Sequence, residues 1–217
     1  MTKVTTILGG EQSTSFRPLL ENRVDVFIRF NEGVSILHKI QQSQEETFIT
    51  QVSSQKPFGL PTDYRGKDRQ FDGSIRVFQT KGIGHISRTD VSKNEDWIDK
   101  YKVFISKGYG AGEEYPHQII NKPILGLPGS CCTETYIVIG PYESIDETRN
   151  VISYIGTKFF RFMVMLEKNT QDALRRVYSF VPMQDFSKPW TDTELYAKYG
   201  LTDEEIASRR AVRQGVT

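Results

Sequence analysis

Three stretches of this 217-residue chain hold side chains able to do chemistry. The run Ser106-Lys107-Gly108-Tyr109-Gly110-Ala111-Gly112 has a Gly-x-Gly-x-Gly core, which invites a dinucleotide or S-adenosylmethionine reading. That chemistry needs a helix opening directly after the loop, with its N-terminus on the ligand. Glu113, Glu114, Tyr115 and Pro116 follow instead, with no apolar stripe and with two carboxylates that repel phosphate. A flexible loop whose glycines let backbone approach a nucleic-acid strand fits better. Asp63 or Asp72 with Lys81 outlines a Mg²⁺-dependent endonuclease, in which clustered carboxylates hold the ion and a lysine assists the attacking water. Gln79 stands where a second acid is needed, and an amide is a poor Mg²⁺ ligand. The adjacent Cys131 and Cys132 point to opposite faces of an extended segment, which disfavours a bond between them and fits packed, reduced thiols better than a Cys–His117 nucleophile. His38, His85 and His117 lack the spacing of a zinc site.

Charge is more informative by segment than in total. The chain has 28 basic and 27 acidic residues, so its formal charge of +1 carries no obvious nucleic-acid footprint. Residues 56–122, however, hold twelve basic against nine acidic groups. The basic ones alternate with hydrogen-bonding and aromatic residues in loops: Lys56, Arg65, Lys67, Arg69, Lys81, Arg88, Lys107 with Tyr109, His117 with Gln118, and Asn121 with Lys122. Lysine and arginine supply phosphate contacts, while arginine, histidine, glutamine and asparagine can read base edges. On that chemistry Lys67, Arg69, Lys81, Lys107 and Lys122 are phosphate candidates, and Arg65, His117, Gln118 and Asn121 base candidates.

The elements that must position these residues follow from periodicity. Residues 1–22 show little of it. Residues 24–30 predict a buried strand, and Asn31 caps a helix whose apolar side is Val34, Leu37 and Ile40. Two prolines and Gly59 make 53–61 a loop. Short β-rich runs at 74–80, 84–88, 102–106 and 134–140 predict antiparallel structure, because no long amphipathic helix separates them. A capping box at Ser144 and Glu147 opens one long helix, 145–167, with Phe159 and Phe162 on its apolar face. A closing strand is expected over 177–182. Capping boxes Thr191/Glu194 and Thr202/Glu205 open two short helices divided by Gly200, and the tail from 209 is expected to fray. The fold class is α+β: a β-rich core with one long packed helix and a short C-terminal helical tail. Its segments are 1–55, a strand–helix lead-in; 56–182, the core; and 183–217, the tail. No apolar run reaches the roughly 20 residues of a membrane span, and the start lacks a signal-peptide pattern, so a cytoplasmic location is expected.

Several strings, taken in order, carry a family resemblance: Lys56-Pro57-Phe58-Gly59-Leu60-Pro61, Phe71-Asp72-Gly73-Ser74-Ile75, the run 98–112, Pro116-His117-Gln118-Ile119-Ile120-Asn121-Lys122-Pro123, Ser130-Cys131-Cys132-Thr133-Glu134-Thr135-Tyr136, the run 177–186, Trp190-Thr191 and Tyr199-Gly200-Leu201-Thr202. From about Val24 to Glu205 the chain resembles the C-terminal target-recognition region of bacterial adenine-specific DNA methyltransferases of restriction-modification systems. The resemblance implies a module that selects the sequence of double-stranded DNA, while a separate domain binds S-adenosylmethionine and methylates adenine N6. The chain has no Asn/Asp-Pro-Pro-Tyr/Phe tetrapeptide to grip a flipped adenine. It is therefore expected to have no cofactor or metal of its own and to act with a methyltransferase catalytic domain, in cis or in trans. Two other readings are the Mg²⁺ endonuclease and a protein-interaction subunit that docks a methyltransferase through Phe159 and Phe162.

Overall fold

The structure, a computed structural model, describes all residues except 9, 23, 109–117, 209–211, 213, 214, 216 and 217. Its first element is one that hydropathy does not reveal. Strands β1 (Thr2–Leu8) and β2 (Glu11–Arg17) form an antiparallel hairpin, Thr2 opposite Arg17 and Leu8 opposite Glu11. The alternation here is written in threonine and serine, which suit a pleated strand but register as polar. Their hydroxyls pair across the hairpin, Thr5 with Thr14 at 3.0 Å and Thr6 with Ser13 at 3.1 Å.

Asn31 does not cap the following helix, α1 (Asn31–Gln42); Phe30 holds the N-cap position without a side-chain bond. The Asn31 amide instead clamps the hairpin by donating to Val4 O (3.1 Å) and Ser13 O (3.3 Å), and its oxygen accepts from Arg17 Nε at 2.8 Å. Residues 24–30, expected as a buried strand, are only half buried, with Val24, Val26 and Ile28 inward and Asp25, Phe27 and Arg29 exposed, and they belong to no sheet. One Arg17 nitrogen donates to Ile28 O, so a side chain satisfies a carbonyl that a ladder would otherwise take.

Two three-stranded sheets follow. In the first, β3 (Ser74–Gln79) pairs antiparallel with β4 (Gly82–Ser87) and parallel with β7 (Ser130–Cys132). The parallel pair departs from the all-antiparallel expectation; a three-residue strand reached by a long excursion leaves no hairpin signal. In the second, β5 (Tyr101–Ser106) is central between β6 (Ile124–Gly126) and β8 (Tyr136–Tyr142), both antiparallel. This sheet divides two apolar cores. Val103, Ile105, Ile137 and Ile139 face the larger, whereas Phe104 and Val138 face the smaller with Phe58, Val77, Phe78, Ile98, Cys131 and Cys132. Both faces are dry, which is why these strands read as nearly continuous apolar runs.

The expected helix 145–167 is two helices, α2 (Ile145–Gly156) and α3 (Lys158–Glu167). Thr157 leaves helical geometry (φ −68°, ψ 151°), and its hydroxyl accepts from Phe160 N at 3.1 Å as the N-cap of α3. Asp192, on α4 (Asp192–Lys198), closes the same end by accepting from Lys158 N (3.1 Å) and Phe159 N (2.8 Å). The apolar spacing runs on through the break, so periodicity alone cannot show it. Helix α3 lies inside the larger core, and Phe159 and Phe162 are fully buried. They are core residues, and the docking face expected there does not exist.

Residues 177–182 also differ from the expected strand. A 3-10 turn over Arg175–Tyr178 and successive i to i+3 bonds, Val177 N to Leu174 O and Val181 N to Tyr178 O, bury Val177, Tyr178 and Val181 without a ladder. The segment meets another at an isolated bridge, Pro182 with Thr47, where Val181 O accepts from Phe48 N at 2.8 Å. Both C-terminal capping boxes form: Thr191 with Glu194 before α4, and Thr202 with Glu205 before α5 (Asp203–Ser208). Gly200 separates them at φ +58°, a left-handed position that suits glycine. The described residues of the tail are not frayed. Val212 is fully buried in the larger core, and Gly215 N donates to Gly156 O at 2.8 Å. A lone valine in a polar tail has no periodicity to announce it.

The architecture is thus α+β, with the larger core drawing on residues from Val24 to Val212. No helix among the described residues is long and apolar enough to cross a membrane. Replacing Thr157 with valine keeps the shape but removes the cap acceptor, and unfolding in urea is expected to show a loss of about 1 kcal/mol with an unchanged m-value.

Candidate nucleic-acid interface

Sheet direction decides which loops meet. Strands β3, β5 and β7 end, and β6 and β8 begin, at one end of the two sheets, as the pairs Phe78–Cys132, Ser106–Tyr136 and Phe104–Ile124 require. The loops there are tied together. Thr80 Oγ1 lies 2.8 Å from Thr135 Oγ1, Lys107 N donates to Thr135 O (3.0 Å), and Glu134 N donates to Leu60 O (2.9 Å). The Asn121 amide donates to Gly108 O at 2.7 Å. This end therefore gathers Lys56, Arg65, Lys81, Lys107, Asn121 and Lys122 from five separate stretches of chain. A cleft of about 530 Å³ beside them is lined by Ser106, Asn121, Lys122, Ile124 and Tyr136, among others.

The individual side chains differ in what they are free to do. Lys81 and Lys122 are exposed. Lys81 sits at the tip of the β3–β4 hairpin with φ +70°, a conformation that costs a lysine on the order of 1 kcal/mol. Arg65 is exposed but donates to two nearby carbonyls, Thr62 O (2.9 Å) and Tyr64 O (2.7 Å). Lys56 and Lys107 share one carboxylate, that of Glu134, at 3.8 and 3.5 Å. Asn121, expected to read bases, spends its amide on holding the Gly108 turn.

The remaining candidates lie elsewhere. Lys67 lies on the outer edge of β4, where it exchanges two 2.8 Å backbone bonds with His85 and its ammonium lies 4.7 Å from the Phe71 ring centre; Arg69, two residues on, is exposed. Arg88 follows β4 at the opposite end of the sheet. There its guanidinium is held by Glu95 (3.0 Å) and Asp99 (3.1 Å), which raises its already high pKa and depresses that of Asp99. An arginine with both partners in place has little to offer a phosphate, so Arg88 does not belong to the group. Gln118 meets the body of the protein through its carbonyl, which accepts from the buried Arg161 at 2.6 Å. Tyr109 and His117 lie outside the described residues.

Of the endonuclease residues, Asp63 follows Thr62, whose carbonyl accepts from Thr80 Oγ1 at 3.4 Å beside Lys81, but Asp72 does not join them. Asp72 precedes β3 and Lys81 follows it, so a six-residue strand, roughly 20 Å, separates them. Gln79 is buried, and its side-chain oxygen accepts from Gly66 N at 2.8 Å. That bond presses the loop carrying Arg65 onto β4, where a Cβ on Gly66 would lie 2.8 Å from His85 N and from Val77. The position that looked like a substituted acid is a structural strut. Among the described residues no three His, Cys, Asp or Glu side chains are grouped to hold a metal ion.

Nor are the thiols nucleophiles. Cys131 and Cys132 are free and fully buried, and that burial pushes Cys131 up to about 12 and Cys132 well above its usual value. Near them Lys102 is buried, with its ammonium donating to the carbonyls of Trp97 (2.9 Å), Lys100 (2.8 Å) and Ile98 (3.2 Å). Loss of water lowers this group to about 8.

Sequence reasoning missed Glu134, Thr80 and Thr135. A lone acid and two threonines in turns carry no signal until the strands bring them together. No protein-family model matches the chain, and no curated protein shows significant similarity to it.

Two outcomes follow from the site. Gly66→Ala forces the Arg65 loop off β4 and is expected to cost about 1–3 kcal/mol in urea unfolding. For Lys102, the unfolded chain keeps its proton up to about 10.5 while the folded chain releases it near 8, so between those values stability rises with pH. The stability of wild type relative to Lys102→Met is accordingly expected to rise by ~2 kcal/mol from pH 8 to 10 in paired urea titrations.

Proposed function

We propose that this chain is the DNA-recognition module of a restriction-modification adenine-N6 methyltransferase, with no chemistry of its own. The observation that carries the reading is the convergence of Lys56, Arg65, Lys81, Lys107 and Lys122 at one end of two sheets, on loops braced by hydrogen bonds. Cations on short braced loops suit phosphate contacts that fix register, and exposed polar neighbours suit base contacts. Double-stranded DNA is the partner in this reading. S-adenosylmethionine belongs to the catalytic domain, which acts in cis or in trans, and the working compartment is the bacterial cytoplasm.

A surface for that catalytic domain is offered by the N-terminal hairpin rather than by α3. Ile7 and Phe16 are each 67% exposed, and Leu19 and Leu20 are 55% and 52% exposed. Ile7 lies next to the hairpin turn, while Phe16, Leu19 and Leu20 fall within five residues of one another at its other end, and apolar side chains exposed so close in the chain suit a contact surface.

The test is duplex binding by band shift across a salt series. Binding is expected at low salt and to fall as salt rises, with Lys81→Ala and Lys122→Ala each weakening all sequences alike and each reducing the log–log salt slope by about 1. Absence of binding at low salt overturns the reading. Plasmid cleavage in Mg²⁺ that Asp72→Ala abolishes would replace it with the endonuclease.

A further inference from the structure

Glu134 stands out at the basic end because of how it divides its two oxygens. Oε1 lies 3.5 Å from Lys107 Nζ and Oε2 lies 3.8 Å from Lys56 Nζ. The carboxylate is 22% exposed, as is Lys107, and Lys56 is 40% exposed, so all three are reachable from solvent. Its backbone is fixed on both flanks. Glu134 N donates to Leu60 O, Thr133 is fully buried, and Thr135 is tied through its hydroxyl to Thr80. Lys56 is fixed too, at φ +54°, with its carbonyl accepting from Gly59 N at 3.1 Å. A lysine in the left-handed region persists only where its surroundings impose it. The fold thus brings two ammonium groups around one anion. Like charges so placed favour a negative group between them, and the protein supplies its own.

We infer that Glu134 is an internal counterion, a carboxylate occupying the place of a DNA phosphate between Lys56 and Lys107 and setting how tightly this end grips duplex of any sequence. This deepens the DNA-recognition reading and rests on it. A phosphate arriving at these lysines must displace a carboxylate instead of mobile salt ions. Two of the site's cations then contribute little to counterion release, and the salt dependence is shallower than the count of lysines implies. The exchange is ionic; no covalent step is involved. Arg88, held by Glu95 and Asp99, has no such role because it lies at the far end of the sheet.

The experiment measures anisotropy of a labelled duplex of arbitrary sequence with the whole chain, between about 50 and 200 mM salt. Glu134→Gln is expected to bind about fivefold tighter than wild type at the lowest salt, a gain that matches the loss of two partly exposed ion pairs. Its log–log salt slope is expected to steepen by about 1 to 2, one step for each freed lysine. Adding Lys56→Ala and Lys107→Ala to Glu134→Gln is expected to remove both effects. Glu134→Ala is carried in parallel, and thermal melts identify the variants that keep the wild-type fold. A folded Glu134 variant that binds with wild-type affinity and slope, or more weakly, overturns the role of Glu134 while leaving DNA recognition standing. If neither wild type nor variant binds at the lowest salt, the recognition reading itself falls.

Discussion

The structure depends on a sheet that is dry on both faces. Strands β5 and β8 alternate their side chains between two cores, Val103, Ile105, Ile137 and Ile139 to one side and Phe104 and Val138 to the other. Each such side chain contributes about 1.5–3 kcal/mol by leaving water. A shift of one residue in the pairing would exchange the two sets between differently shaped cores, so register is fixed strongly. Half of the gathered end hangs from that wall. Ser106 and Lys107 extend β5, Thr133 to Thr135 lead into β8, and Asn121 and Lys122 lead into β6.

Much of the fold was legible because these strands are apolar and bounded by turn residues. The runs at 74–80, 102–106 and 134–140 appear within two residues of their expected bounds, and the capping boxes of α4 and α5 form as spaced. What escaped has specific causes. The hairpin β1–β2 uses hydroxyl pairs in place of apolar alternation. The helix break at Thr157 is stabilised by Asp192, a residue 35 positions away, which no local window contains. Residues 177–182 combine β-branched composition with a proline, and tertiary burial turned them into short bonded turns instead.

The site was legible in residue type and poorly legible in location. Lys56, Arg65, Lys81, Lys107, Asn121 and Lys122 do share one end, yet Arg88 was separated from them by the direction of β4, and Asn121 serves the loop itself. Charge counting sees twelve cations in the middle segment; it does not see which already hold partners. Glu95, Asp99 and Glu134 account for three of them. The near-neutral total thus conceals both a gathered set of cations and the acids that hold part of it in check.

The parallel pairing of β3 with β7 has a consequence for how such a protein changes over time. In an antiparallel neighbour the chain would leave β7 at the far end, and Thr133, Glu134 and Thr135 would be lost from the patch. Because β7 runs with β3, the chain leaves both strands on the same side, and the loops there reach back into the cores only through a few anchors, Phe58, Leu60, Ile119 and Ile120. Between those anchors, exposed positions such as Lys81 and Lys122 are uncoupled from core packing. New surface chemistry can be tried there by insertion or substitution while the strands that carry it remain unaltered.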